Sequence, residues 1–235
     1  MEYRYVITDC LDPYRNLAYE QLLQSEVDSG MAILYLWQNE NTIVVGRNQE
    51  IGKECRAEAF LQDGGRIARR RSGGGAVYHD LGNLNFSLIC REKEKACYPY
   101  QPLVIGALKE FGLEASFNGR NDFTVQGRKF SGNAVYSDGA VACRHGTLLV
   151  SCEIARMTRY LTPDKSKLSR NHVASVSSRV VNLGELSAAV TVDALRQALI
   201  RVSGATPLKK QPSEREIASL ALFYASETWI YGGNI

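Results

Sequence analysis

Short apolar runs broken by glycine, rather than long helical stripes, fill the middle of this sequence and limit its fold most tightly. GRIARRRSGGGAVYHDLGNLNFSLIC alternates a strand, a glycine loop, a strand, a turn and a strand. NDFTVQGRKFSGNAVYSDGAVACRHGTLLVSC continues as short strands broken at Gly127, Gly132 and Gly139. Hairpin-length spacing means antiparallel pairing, since parallel neighbours need a crossover of a dozen or more residues. YRYVIT reads as an opening strand, and AILYLWQN and TIVVGRNQ as two strands forming a hairpin across Asn39–Asn41.

Helical segments fall between these groups. DCLDPYRNLAYEQLLQSEV has Asp12 as a cap, Pro13 in its first turn and an apolar stripe through Leu17, Leu22 and Leu23. KECRAEAFLQDGG reads as one helix ending at Gly64–Gly65, and YQPLVIGALKEFGLEA, EIARMTRYL, TVDALRQALIRVSG and PSEREIASLALFYA as four more. The expected class is α+β with a mostly antiparallel sheet, rather than alternating βαβ units. No repeat or low-complexity linker divides the chain, so one domain over residues 1–235 is expected.

With 45% hydrophobic and 23% charged residues, the chain can bury a core without covalent staples. A net charge of +3 decides nothing about a nucleic-acid partner. The cysteines at 10, 55, 90, 97, 143 and 152 form no CxxC pair, and no histidine stands at zinc-finger spacing. Neither a signal peptide nor an 18-residue apolar span is visible, so reduced thiols in a cytoplasmic protein are expected.

Three stretches carry residues suited to chemistry. In RRRSGGGAVYHDLGN, residues 69–83, Gly73, Gly74 and Gly75 let the backbone approach a ligand and offer N–H groups to anionic oxygens. Arginines beside them match phosphate or carboxylate, or, on the bland reading, flank a solvated turn that meets RNA. The loop is neither a Walker A sequence nor a GxGxxG opening a helix. In GRNDFTVQGRKFSGNA, Lys129 shares a strand face with Ser131, while Arg128 and Phe130 point the other way. That is either a surface lysine or a point charge aimed into a pocket, and Asp122 is a candidate Mg²⁺ ligand through water. In CRHGTLLV, His145 is a ligand contact or a satisfied core histidine, and Cys143 on the same face is a candidate nucleophile. His79 and Asp80 are adjacent and form no dyad; no serine elbow and no metal-ligand cluster is apparent.

In their order, these stretches resemble the lipoate–protein ligase family. LWQNENTIVVGRNQ, KEC, YLTPDKSKL and SVSSRVVNL are similar to its intervening segments, so the resemblance runs from Asp9 to about Gly232. It implies a mixed, largely antiparallel sheet flanked by helices, as in biotin protein ligases and class II aminoacyl-tRNA synthetases. It also implies a two-step reaction: lipoate and Mg·ATP give lipoyl-adenylate, whose acyl group passes to a lysine of an acceptor. The acceptors implied are lipoyl domains of 2-oxoacid dehydrogenase acyltransferases and the glycine-cleavage H protein.

By the same resemblance, Lys129 bridges the lipoate carboxyl and the α-phosphate. Arg70 and the nest at Gly73–Gly75 surround carboxyl and phosphate, and Ser72 and Ala76 line the acyl pocket. The backbone of Val77 and Tyr78, with Asn83, holds the adenine. His79, Asn121, Asp122, Ser131, Ala134, His145, Gly146 and Thr147 match further pocket positions, and Leu17 and Leu148 are candidates for the alkyl tunnel. Discrimination of lipoate from octanoate should be weak. Family members often carry an accessory domain after the segment matching ETWIYGGN, sometimes as a separate polypeptide; this chain ends at Ile235. A transferase working through a Cys143 thioester without ATP, one using preformed lipoyl-adenylate, and a non-catalytic adenylate or nucleic-acid binder are the rival readings. A biotin ligase is disfavoured because no GRGR loop is present.

Overall fold

The computed structural model describes residues 1–97, 100–118, 121–162 and 180–232, without the side chains of 95–97. Arg120 and parts of the segments YLTPDKSKL and SVSSRVVNL lie outside the described residues. The chain starts β1 (Glu2–Ile7), α1 (Pro13–Leu23), β2 (Met31–Trp37), β3 (Thr42–Val45), α2 (Ile51–Glu54), α3 (Ala57–Gln62) and β4 (Arg66–Arg69). After the glycine loop come β5 (Val77–His79), β6 (Asn83–Arg91), α4 (Tyr100–Lys109), β7 (Ala115–Phe117), β8 (Asp122–Val125), β9 (Arg128–Ser137) and β10 (Val141–Leu149). The remainder is α5 (Ile154–Tyr160), α6 (Leu183–Leu186), α7 (Val192–Ser203), β11 (Thr206–Pro207), α8 (Glu214–Ala225) and α9 (Glu227–Gly232).

Eight strands form one sheet in the order β11-β1-β2-β6-β10-β9-β8-β7, and three form a second, β4-β3-β5. The strands from β2 across to β7 pair antiparallel, as the turn spacing requires. β1 runs parallel to β2 and β11, and β4 runs parallel to β3. The sheet is therefore mixed, with α1 as a crossover that the reading against βαβ units left out.

Two local expectations are corrected. Asn41 does turn the chain, with φ of 38°, but β2 and β3 do not pair: each enters a different sheet. Val44 of β3 packs in one core with Ile33, Tyr35 and Trp37 of β2, so the two strands meet face to face in different layers rather than edge to edge. The run KECRAEAFLQDGG is two short helices, separated where Cys55 bridges to Leu161.

β2 shows how the layers are assembled. Ala32, Leu34 and Leu36 face a core with Leu103, Val104 and Ala107 of α4 and Leu195, Ala198 and Leu199 of α7. Ile33, Tyr35 and Trp37 face the opposite core, with Leu17 and Leu23 of α1, Ala221 and Tyr224 of α8, and Val44 and Ala68 of the second sheet. Each fully buried leucine, isoleucine or valine among them contributes roughly 1.5–3 kcal/mol. β6 alternates similarly, except that Leu84, Phe86 and Leu88 face α4 and α7 while Asn83, Asn85 and Ser87 are buried polar residues. Those polar groups occupy the space between the sheets. α1 is held in register by Asp12, whose carboxylate accepts from the backbone N–H of Tyr14 and Arg15 at 2.9 and 3.0 Å, with Pro13 at its start.

Candidate active site

A cavity opens between the two sheets. Leu17, Trp37, Val44 and Val77 give it an apolar part, and Asn121, Asp122, Lys129, Gly132 and Thr147 a polar part. The glycine loop borders it at Gly74, Gly75 and Ala76, and β9 and β10 contribute Asn133, Ala134, His145 and Gly146.

The three consecutive arginines have structural partners, which explains why the chain accepts them. Arg69 is buried, donating from Nε to the Ile230 carbonyl and from Nη1 to the carbonyls of Gly46, Arg47 and Gln49, each at 2.8 Å. Arg70 is buried too: Nε donates to Ser72 Oγ, Nη1 to the Val44 carbonyl, and Nη2 to the carbonyls of Gly73 and Gly75 at 2.8 and 2.7 Å. Burial pulls the Arg70 pKa down to about 10, so it remains cationic at neutral pH. It borders the cavity, yet these four bonds spend it on the fold of the glycine loop rather than on a ligand's carboxyl or phosphate. Arg71 hydrogen-bonds Tyr136 and lies 4.0 Å over its ring. An RNA-facing basic flank therefore loses its only local support.

Gly74 needs to be glycine twice over. Its φ is +93°, and a Cβ there would stand 3.1 Å from Arg70 Nη2. Gly46 packs against it so closely that a Cβ at 46 would meet the Gly74 carbonyl oxygen at 2.2 Å.

On the opposite wall, Gln126 and Gly127 both have positive φ and close the tight turn between β8 and β9. A register shift between Phe123 and Thr124 follows, with Thr124 opposite Lys129 and Phe123 opposite Ser131. The bulge sends Phe130 into the core and leaves Lys129 and Asp122 on the cavity, where Lys129 Nζ lies 2.8 Å from Asp122 Oδ1. Both side chains are partly exposed, at 40% and 32%, so the cation is accessible.

His79 sits on β5 and faces the cavity. Burial first, then the charges of Arg70 and His145, lowers its pKa to about 3, so the ring is neutral. Its Nδ1 is 3.1 Å from Asn39 Nδ2, which donates to it and leaves the proton on Nε2. Among the described residues, neither Nε2 nor the buried Asn133 Oδ1 has a hydrogen-bond partner.

Five expected site residues lie off the cavity lining. Ser72 is buried beneath the loop, with Oγ 2.6 Å from His145 Nε2, and Gly73 lends its carbonyl to Arg70. Tyr78 points away from its neighbours Val77 and His79 into the core around Phe60. Asn83 donates to Asn85 Oδ1 at 2.9 Å, and Ser131 accepts from Asn133 Nδ2 at 3.3 Å. These side chains shape the residues that do line the cavity. Leu148, offered for the tunnel, packs in the core on the α4 side.

Trp37, Val44, Asn85, Gly132 and Asn133 line the cavity and were not picked out from the sequence. Asn16 and Glu20, one turn apart on α1, were also passed over. Asn16 Nδ2 donates to Asn39 Oδ1, so it orients the amide that fixes the His79 tautomer. Glu20 Oε1 lies 2.9 Å from His145 Nδ1 and accepts from Ser87. Two buried polar residues four apart beside Leu17 were the available signal.

Cys143 is fully buried, and burial, followed by the charge of Glu20, holds its pKa well above the usual thiol range. A nucleophilic cysteine needs the reverse, a cationic or metal neighbour that favours thiolate. Glu20, Cys143 and His145 converge although they are far apart in sequence, a cluster that spacing alone does not show.

Residues 12–203 match the family described as the lipoyl protein ligase A/B catalytic domain, more than half of the chain. The chain belongs to this family. It is similar along 100% of its length, at 26% identity and a TM-score of 0.83, to 98% of a chain from the bi-partite lipoate protein ligase system of Thermoplasma acidophilum, studied with its E2 lipoyl domain. It is also similar, at 25% identity and a TM-score of 0.82, to a lipoate-protein ligase A bound with ATP, each chain 99% covered. A third neighbour, P. falciparum LipL1 in complex with lipoate, is 28% identical with a TM-score of 0.78, over 98% of this chain and 74% of that one. The fold is that of lipoate–protein ligases, and among the described residues no helix is long and apolar enough to cross a membrane.

Proposed function

We propose that this lipoate–protein ligase-type domain activates lipoate with ATP and passes the lipoyl group to a lysine of a lipoyl domain or of the glycine-cleavage H protein. The observation that carries this reading is the accessible Lys129 Nζ, oriented by Asp122 at 2.8 Å, on a cavity with an apolar end and a polar end. In the first step a carboxylate oxygen of lipoate attacks the α-phosphorus and pyrophosphate leaves. In the second, the acceptor amine attacks the acyl carbon, AMP leaves, and the amine's proton is lost to solvent.

Both steps bring anionic oxygens together, and Lys129 is the cation placed to offset that charge. The N–H groups of the loop, held open by Arg70, supply donors, while Leu17, Trp37 and Val44 receive the alkyl chain. The backbone of Val77 and Tyr78 remains assigned to adenine, with Asn83 acting behind it through Asn85, which lines the cavity. Mg²⁺ accompanies the nucleotide; its usual need is one or two carboxylates plus phosphate oxygens, which Asp122 fits as a single carboxylate donor. The structures of ATP-bound and lipoate-bound neighbours support these ligands, and the Thermoplasma neighbour's E2 lipoyl domain supports the acceptor class. The free cysteines at 10, 55, 90, 143 and 152 suit a cytoplasmic protein.

Acceptor mass, followed with and without ATP, tests the reaction. Lipoyl transfer that requires both lipoate and ATP, with or without an added accessory-domain protein, is the expected result. ATP-independent transfer from an octanoyl carrier, abolished by Cys143→Ser, would replace this reading with the thioester one.

A further inference from the structure

Glu20 stands behind the cavity, yet hydrogen bonds from two of its walls run to it. On the glycine-loop side, Arg70 can only donate, and its Nε–H goes to Ser72 Oγ at 3.0 Å. The Ser72 proton then has two acceptors in reach, His145 Nε2 at 2.6 Å and the Gly73 carbonyl at 3.4 Å, and the shorter contact takes it. His145 therefore carries its proton on Nδ1 and donates it to Glu20 Oε1 at 2.9 Å. At the apolar end, Trp37 Nε1 also can only donate, to Ser87 Oγ at 3.0 Å, so the Ser87 hydroxyl turns its own proton to Glu20 Oε1. The Cys143 thiol donates to the same carboxylate. Two one-way chains of donors thus end on a single buried oxygen, and a satisfied network of that kind holds each member in one orientation. Serine, histidine and carboxylate in this order also make up a nucleophile triad. Ser72, however, is buried off the cavity lining and accepts from Arg70, so it is a link rather than a nucleophile.

We propose that Glu20 is a positioning residue that holds Trp37 and the glycine loop in a fixed relation to each other, and so sets the shape of the cavity for the acyl chain. Trp37, Arg70 and His145 line the cavity, whereas Glu20, Ser72 and Ser87 do not. The place of Glu20 on α1 suits the task, because Leu17, three residues earlier and on the same helix face, lines the apolar end. The Tyr35 ring stacks on the Trp37 indole at a centroid distance of 5.8 Å and sets its plane, while the bond to Ser87 sets which edge faces the cavity. Both chains end on Glu20 Oε1, so an amide oxygen in its place can receive both, whereas an apolar side chain can receive neither. The consequence for lipoate rests on the ligase reading; the orientation of His145 and Trp37 does not.

The test compares the full-length parent protein with Glu20→Gln and Glu20→Leu. Nitrogen NMR reads the histidine ring and the indole N–H at neutral pH, and calorimetry reads lipoate affinity. In the parent, His145 should be protonated on Nδ1 and not on Nε2, and the Trp37 indole proton should exchange slowly with water. Glu20→Gln should keep both signatures and bind lipoate within about threefold of the parent. Glu20→Leu should lose both and bind lipoate at least about 10-fold more weakly, the equivalent of roughly one hydrogen bond. Ser87→Ala cuts only the Trp37 chain, so it should speed indole exchange and weaken lipoate while leaving His145 as in the parent. It takes the place of Glu20→Leu should a thermal melt show that variant unfolded. A parent His145 protonated on Nε2, a folded Glu20→Leu with the parent's lipoate affinity, or a Glu20→Gln as impaired as Glu20→Leu would overturn the proposal. A parent that binds no lipoate would count against the ligase reading, while the two NMR signatures would still decide whether Glu20 orients the cavity walls.

Discussion

Arg70 and Lys129 both border the cavity, yet their positive charges serve different ends. Arg70 is buried and gives its guanidinium to Ser72 and to the carbonyls of Val44, Gly73 and Gly75. Lys129 stands 40% exposed with one carboxylate at 2.8 Å. Charge density in a sequence is thus a poor guide to charge available to a ligand: the arginine triplet is the framework, and the single lysine on a bulged hairpin is the working cation. The glycine loop links the two, because Arg70 fixes the carbonyls and thereby aims the loop elsewhere.

If that division is right, the two positions should fail differently. Arg70→Ala strands the carbonyls of Val44, Gly73 and Gly75, so unfolding in urea should show a loss of about 1.5–3 kcal/mol. A change below about 1 kcal/mol would remove Arg70 from the framework. Lys129→Ala should leave the urea midpoint nearly unchanged, since an exposed ion pair contributes about 0–1 kcal/mol. Lipoate-dependent ATP–pyrophosphate exchange, assayed with any accessory protein required, should fall at least about 100-fold in that variant.

Gly74→Val probes the link between the two. The positive φ and the 3.1 Å approach to Arg70 Nη2 should cost about 1–2 kcal/mol of stability and weaken lipoate binding in calorimetry. Unchanged affinity would separate the loop from the ligand. A pH-dependent effect concerns His79, whose folded pKa of about 3 lies below the ordinary 6.5. Its stabilisation is complete above about 6.5 and is lost as pH falls towards 3, at up to roughly 1.4 kcal/mol per pH unit. Urea midpoints measured between pH 7 and pH 5 should therefore fall less steeply in His79→Gln than in the parent protein.

Much of this molecule was legible from local chemistry. Asp12 and Pro13 start α1, and the glycine turns at 127 and 139 mark the β8–β9 and β9–β10 connections. Lys129 was singled out because its strand is bounded by glycines. What stayed hidden is non-local. The Asn39–Asn41 turn looks like any hairpin until the packing of Val44 against Ile33, Tyr35 and Trp37 sets β2 and β3 in separate layers. The inward direction of Arg69 and Arg70 depends on carbonyls from β3, the following turn and α9. Asn16 and Glu20 count as ordinary helix polarity until β6 and β10 pack over them. Cys143 looked available for nucleophilic chemistry, and only its enclosure beside Glu20 shows a protonated thiol.

The most direct test of Lys129 as the working cation bypasses activation altogether. Preformed lipoyl-adenylate is mixed with protein and an acceptor lipoyl domain without ATP, and lipoylated acceptor is followed by mass spectrometry in a single turnover. The parent protein should transfer the lipoyl group, and folded Lys129→Ala should do so at least about 100-fold more slowly. Transfer by Lys129→Ala at the parent rate would contradict the account.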